Sequence, residues 1–302
     1  MKGLRPEGVI VPLATPLTDD ERLDAPALDG LIDRVLPDVD GVFVLGSSGE
    51  FALLEDTTRA ELIDRTVERV EGRRPVYVGV GDTGTRRTIA NARRASRAGV
   101  DALVVCGPFY YPVTDQGALR AHFEAVADAV DRPVLLYNIP ENTVSALTPD
   151  SVVALAAHPN IVGIKDSGGD MFLFQRFLEA RSSTFSVLQG REQLAALSFW
   201  AGADGVVSAL ANFAPARLQA LRHAVDAGDR ARATELQAEV TRLAEVFDQA
   251  GWLSVLKVVI SELGHGSGQA AAPLPPVSRD VREAIRSILA DADVRATEVP
   301  DG

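Results

Sequence analysis

The sequence predicts a (β/α)8 barrel followed by a helical C-terminal segment. Three observations carry this. Eight short apolar runs recur through the first 227 residues, each nearly continuous in apolar character, as strands buried on both faces are. Longer stretches with a 3.6-residue apolar period lie between them. From residue 228 onward the helical period continues and the strand-like runs stop. Eight strand–helix units are the number that closes a barrel. A doubly wound sheet is the alternative; it usually has fewer strands, and no G-x-G-x-x-G follows the first run here.

Taken in order, the strand runs are 8–11, 41–45, 75–80, 102–106, 133–137, 161–165, 185–189 and 205–208. The helical periods between them are 25–36, 55–71, 85–98, 115–130, 149–157, 170–181, 191–201 and 213–227. Asp24 precedes the first helix, and Thr114-Asp115 opens the one carrying Leu119, Phe123 and Val126. Thr148-Pro149 reads as an N-cap followed by proline in the first turn. Gly72 and Gly99 follow helices as terminating glycines do. The barrel is expected over 1–227 and the helical appendage over 228–302, with periods at 229–248, 251–263 and 278–291 and a Gly/Ala/Pro-rich link at 264–276.

Composition narrows the function. The 302 residues include 30 Lys+Arg against 42 Asp+Glu, a net charge of −12. With no basic block, nucleic acid and anionic membrane are not expected as partners. Cys106 is the single cysteine, which excludes an internal disulfide and a cysteine-built zinc site. His122, His158, His223 and His265 form no H-x-x-x-H pair, so no metal site and no cofactor are expected. No window approaches 18 apolar residues, and Pro6, Pro12 and Pro16 interrupt the N-terminal stretch, so a cytoplasmic location is expected. Only three of the basic residues are lysines: Lys2, Lys165 and Lys257.

A barrel's chemistry sits at the C-terminal ends of its strands. The second run ends in Gly46-Ser47-Ser48-Gly49-Glu50, the fourth in Gly107-Pro108-Phe109-Tyr110-Tyr111-Pro112, and the fifth in Tyr137-Asn138-Ile139-Pro140. The sixth ends in Lys165-Asp166-Ser167 and the seventh in Gln189-Gly190-Arg191-Glu192. Lys165 closes a strongly apolar strand. Desolvation favours the neutral amine of a lysine, and a neutral amine condenses with ketones. The competing reading is a structural lysine paired with a carboxylate such as Asp166. Ser47 and Ser48, between glycines at a strand-to-helix turn, present N–H and hydroxyl donors suited to a carboxylate, or form an ordinary turn. Tyr137, on the strand next to Lys165, can shuttle a proton or simply pack at the rim. Tyr110 and Tyr111 read as an exposed interface pair, and Cys106 as buried and inert.

Gly46-Ser-Ser-Gly-Glu50, Tyr137-Asn-Ile-Pro140 and Gly163-Ile-Lys165-Asp together resemble the dihydrodipicolinate synthase / N-acetylneuraminate lyase superfamily of Schiff-base pyruvate aldolases, in order and spacing from about residue 8 to residue 212. The resemblance implies that Lys165 forms an imine with the keto carbon of a 2-keto acid and that Tyr137 moves the proton. It implies that Ser47 and Ser48 hold the keto-acid carboxylate, with Ser47 in a hydroxyl relay to Tyr137. Tyr110 would complete that relay from a neighbouring subunit, in a homotetramer built as a dimer of dimers, and Val207 would pack against the pyruvyl group. No cofactor or metal is implied.

Departures from the family narrow the substrate. Lysine-pathway synthases carry an arginine two residues after the proline of the tyrosine motif; Asn142 stands there, so a clamp worth about 1.5–3 kcal/mol per charge-assisted bond is missing at that position. Sialate lyases have Tyr-Asp-Glu where Arg191-Glu192-Gln193 stands, and Gly-Ser where Ser208-Ala209 follows the eighth strand. Asn142, Ser167 and Glu192 are then candidates to bind hydroxyls of a different sugar acid, with Gly190 beside them in the substrate-binding set. The expectation is a metal-independent lyase acting on a 2-keto acid with a hydroxylated tail. A hydro-lyase on a keto-deoxy sugar acid, a 4-hydroxy-tetrahydrodipicolinate synthase and a catalytically silent keto-acid binder are the alternatives.

Overall fold

The computed structural model describes residues 4–295; Lys2 and the last seven residues of the expected appendage lie outside them. In chain order the elements are β1 (Gly8–Pro12), α1 (Ala25–Val35), β2 (Gly41–Val44), α2 (Asp56–Val70), β3 (Val76–Gly79), α3 (Thr85–Arg97), β4 (Ala102–Cys106), α4 (Gln116–Asp128), β5 (Val134–Asn138) and α5 (Pro140–Thr143). There follow α6 (Pro149–Ala156), β6 (Ile161–Asp166), α7 (Met171–Phe177), β7 (Ser186–Gln189), α8 (Ala195–Ala201), β8 (Gly205–Val207), α9 (Pro215–Asp226), α10 (Arg230–Ala244), α11 (Trp252–Glu262) and α12 (Arg279–Asp291). All eight strands are parallel and close into one barrel, β8 pairing back onto β1.

Local chemistry starts the helices where expected. Asp24 accepts from the Ala27 N–H, Asp115 from that of Ala118, and Thr148 from that of Ser151 ahead of Pro149. Each satisfies a donor that the first turn leaves free. Several helical periods are shorter than their pattern, the 229–248 period among them, whose α-helix ends at Ala244 before a 3-10 turn over 245–249. Residues 192–194 form a 3-10 turn before α8 starts at Ala195, and α7 ends at Phe177 before a 3-10 turn over 178–180.

Strand alternation sorts residues into two cores. Ile10, Phe43, Tyr77, Val104, Leu135 and Leu188 fill the barrel interior. Val11, Val42, Leu103, Leu136, Ile164 and Val187 point outward and are covered by the helix ring, each such burial contributing about 1.5–3 kcal/mol. In β6 this rule sends Ile164 and Asp166 outward and Lys165 inward. Register then decides what Lys165 meets: Tyr137 of β5 pairs with Lys165, and Asn138 with Asp166.

The C-terminal helices pack on the same barrel. α10 lies against α8, α9 and the 192–194 turn. Its Gln237 side chain donates to the Glu192 carbonyl (3.0 Å) and accepts from the Ala196 N–H (2.8 Å). The segment after the barrel therefore pins the backbone at one strand end. Among the described residues no helix is long and apolar enough to cross a membrane.

Candidate active site

Lys165 is buried, with 5% of its surface exposed. Its Nζ lies 4.1 Å from the centroid of the Tyr137 ring and 5.5 Å from that of Phe43. Among the described residues it makes no hydrogen bond or ion pair. Asp166 does not pair with it: that carboxylate accepts from Asn138 Nδ2 (2.7 Å) and from the Gly168 N–H (3.2 Å) on the other face of the strand. Burial pushes the Asp166 carboxyl above its ordinary pKa, with the Asn138 bond opposing. The reading of Lys165 as half of an ion pair with Asp166 is therefore not the arrangement found.

Tyr137 Oη stands 3.5 Å from Ser47 Oγ. The turn that carries Ser47 is held in a costly shape, since Leu45 and Glu50 flank it with φ of +56° and +58°, a region disfavoured for side chains with a Cβ. The turn is fixed by Gly49 N–H to Gly46 O (3.1 Å), Glu50 N–H to Ser47 O (3.1 Å) and Thr15 Oγ1 to Gly49 O (2.9 Å). No protein acceptor is recorded for the Ser47 and Ser48 N–H groups among the described residues. Two free backbone donors beside two hydroxyls make a site for an anion.

These residues surround one cavity of about 260 Å³. Nine of the ten site residues expected from sequence line it: Lys165, Tyr137, Ser47, Ser48, Val207, Asn142, Ser167, Gly190 and Glu192. Tyr110 does not. The residue is 80% exposed, and its ring packs edge-to-face on Tyr111 with centroids 4.8 Å apart, on a backbone with φ of +76°. A second, mostly apolar cavity of about 350 Å³ adjoins the first through Ser47, Tyr137, Ile139, Asn142 and Trp252, and reaches Phe51, Leu53 and Phe109. Cys106 borders it, buried, with its thiol pushed up to about 12 by desolvation, which leaves it unreactive.

Gly190 has a steric role. A Cβ there would stand 2.0 Å from Ser167 Oγ and 2.8 Å from the Asp166 carbonyl, so only glycine lets the ends of β6 and β7 approach across the mouth. Glu192 turns inward from the 3-10 turn, is buried, and accepts from Ser208 Oγ (2.9 Å). Burial raises its carboxyl above the ordinary value. A carboxyl raised in the folded state stabilises fully below the unfolded-state value and loses that contribution as pH rises through the folded one. Glu192→Gln, which cannot ionise, is therefore expected to match wild-type thermal stability at pH 4 and exceed it at pH 8. Melting curves at the two pH values check this; a lower midpoint for the variant at pH 8 would contradict it.

Ten other described residues line the cavity that sequence reasoning did not name as site residues, among them Arg191 from the end of β7, and Phe247, Asp248 and Trp252 from the C-terminal segment. Arg191 stood in a quoted strand end and its charge was a usable signal. Phe247, Asp248 and Trp252 lie in an ordinary amphipathic pattern, and only tertiary packing brings them to the mouth. Among the described residues no group of three or more His, Cys, Asp or Glu is placed to hold a metal ion.

A closed (β/α)8 barrel with a buried lysine at one strand end that is unpaired among the described residues, a tyrosine ring against it and a turn with free backbone donors lining the same cavity fits a class: lyases that work through a lysine amine. The chain belongs to the Dihydrodipicolinate synthetase family, whose sequence pattern matches residues 5–292. It is 39% identical over 290 residues to a 4-hydroxy-tetrahydrodipicolinate synthase of Xanthomonas campestris, covering 94% of each chain. It is 36% identical over 288 residues to an uncharacterized DapA-like lyase of Halobacterium salinarum, covering 94% of this chain and 93% of the relative. Among solved structures it resembles YagE, a prophage protein of this family from E. coli K12 in complex with pyruvate. The TM-score is 0.90 at 32% identity, with 95% of this chain and 99% of the other covered.

Proposed function

We propose that the enzyme makes or breaks a carbon–carbon bond through an imine between Lys165 and a 2-keto acid bearing a hydroxylated tail. The amine adds to the keto carbon, water leaves, and a protonated iminium forms. In cleavage, the hydroxyl on the far carbon of the scissile bond, two carbons from the iminium carbon, gives up its proton. That carbon becomes an aldehyde, and the bonding pair moves into a neutral enamine. Reprotonation of the enamine carbon and hydrolysis release the shortened keto acid and restore the lysine. Tyr137 carries the proton, with Ser47 Oγ as the next oxygen in line. Ser47 and Ser48 hold the keto-acid carboxylate and Val207 packs on the pyruvyl carbon. Asn142, Ser167 and Glu192 face the tail, and Gly190 keeps room for it. The observation that carries this reading is Lys165 Nζ lying unpaired, 4.1 Å from the ring centroid of Tyr137, beside the free donors of the Ser47–Ser48 turn.

Tyr137→Phe is expected to lower turnover by about 10²–10⁴, the range general acid–base help supplies, while imine formation persists. Steady-state kinetics with hydride trapping checks it, and wild-type turnover would remove the tyrosine from the mechanism. The reaction itself is tested by offering pyruvate with a panel of aldehydes and assaying for aldol product. No product with any aldehyde, and no aldehyde released from keto-deoxy acids, would sink the aldolase reading. Loss of water in place of aldehyde would point to the hydro-lyase. The relatives named as synthases favour the dihydrodipicolinate-type reaction; Asn142, in place of the arginine at that position, counts against it.

The active unit we propose is at least a dimer, in which Tyr110 of a second copy reaches the Ser47–Tyr137 pair. Two separate exposed apolar sites support a dimer of dimers: Tyr110 with Tyr111, and Phe172 with Leu197 and Trp200 on the adjacent helices α7 and α8. A cytoplasmic location belongs to the same proposal, on family membership alone.

A further inference from the structure

We propose that Arg191 selects substrates whose tail ends in an oxyanion, a carboxylate or phosphate remote from the keto group. The inference rests on the imine reading above and names the tail it takes. Two cationic side chains line the catalytic cavity, Lys165 and Arg191. With the lysine committed to the imine, Arg191 is the charge left for the other end of the substrate. Its backbone is fixed by its N–H on Gln189 Oε1 (2.9 Å), and its Nε donates to the Ser167 carbonyl (3.0 Å). Its Nη2 pairs with Glu141 at 2.6 Å. The guanidinium thus spans the mouth from the β6 end to α5, with Nη1 unengaged among the described residues. Nη1, together with Nη2 once Glu141 is displaced, forms the edge of a planar fork suited to two-point recognition of an oxyanion.

Three carboxyl groups line the same cavity, those of Glu141, Glu192 and Asp248, and among the described residues only Glu141 pairs with Arg191. Glu192 is turned to Ser208 and its burial favours the neutral acid. Glu141 is two-thirds exposed, and a surface pair of this kind is weak, so an anion arriving from inside the cavity competes with it for the guanidinium. Glu141 then acts as a stand-in counter-ion when the site is empty.

The test compares tails of the same carbon chain length with and without a terminal oxyanion. With pyruvate as donor, succinic semialdehyde is set against butanal, and glyceraldehyde 3-phosphate against glyceraldehyde. The wild type is expected to favour an anionic member by about 10-fold or more in kcat/KM, the scale of one charge-assisted contact. Arg191→Met is expected to erase that preference, lowering kcat/KM for the anionic member by about 10-fold more than for its uncharged partner, and Glu141→Gln to enlarge it. The arm that responds identifies carboxylate or phosphate. A preference for uncharged tails, or an Arg191→Met loss equal across the panel, would overturn the inference. Calorimetric binding of glutarate against butyrate separates this from a failure of the imine itself. Tighter glutarate binding that Arg191→Met abolishes supports Arg191 even if no adduct forms on Lys165, and equal binding counts against it.

Discussion

Lys165→Ala is expected to lose more than about 10⁴-fold in turnover, because removing the group that forms the covalent intermediate removes the pathway, not one contact. The fold should survive. The side chain makes no hydrogen bond or ion pair among the described residues, and the space it vacates opens onto an existing cavity. No described neighbour loses a hydrogen-bond or ion-pair partner; the Tyr137 and Phe43 rings lose only the contact with Nζ at 4.1 and 5.5 Å from their centroids. Circular dichroism and urea midpoints should therefore match the wild type while aldol activity falls to background. Measurable cleavage by a well-folded Lys165→Ala enzyme would place the chemistry elsewhere.

Lys257→Met is expected to have the largest effect on stability, a loss on the order of 3–5 kcal/mol, the cost of removing one partner from a buried ion pair. Lys257 sits in α11 and pairs with Glu50 at 2.5 Å, both side chains essentially unexposed, and Nζ also reaches the Thr15 carbonyl. Burial pulls the Lys257 pKa down and Glu50 opposes that shift. Glu50 Oε1 accepts from the Ala271 N–H at 2.7 Å. One contact set therefore ties the β1 loop, the turn bearing Ser47 and Ser48, and the C-terminal helices together. Without the lysine, the Glu50 carboxylate is left buried and uncompensated. The Glu50→Gln, Lys257→Met double variant removes both charges and keeps an acceptor for Ala271, so it should regain much of the loss. Urea denaturation of the single and double variants checks this; an unchanged midpoint for Lys257→Met would show that the pair contributes nothing.

The strands were legible because a parallel sheet covered on both sides must be apolar along its whole length. Their ends were read one residue short at Tyr137 and Lys165. The strands continue into Asn138 and Asp166, which bond to each other at 2.7 Å; polar partners satisfied by one another extend a strand beyond its apolar signature. The short helix Pro140–Thr143 and the 3-10 turn at 192–194 are too brief to show a period. The site residues could be named because a barrel collects its strand ends at one mouth. What could not be read was the contribution from far along the chain. Lys257 gave no sign of Glu50, and Phe247, Asp248 and Trp252 gave none of the cavity, since nothing local distinguishes a helix face buried on a core from one that borders a site.

Incubation with pyruvate and borohydride, followed by peptide mass mapping, tests the central claim most directly. A reduced pyruvyl group is expected on Lys165 alone, absent in Lys165→Ala and still formed in Tyr137→Phe. An adduct on another amine, or none with any 2-keto acid, would contradict the assignment of Lys165 as the group that forms the imine.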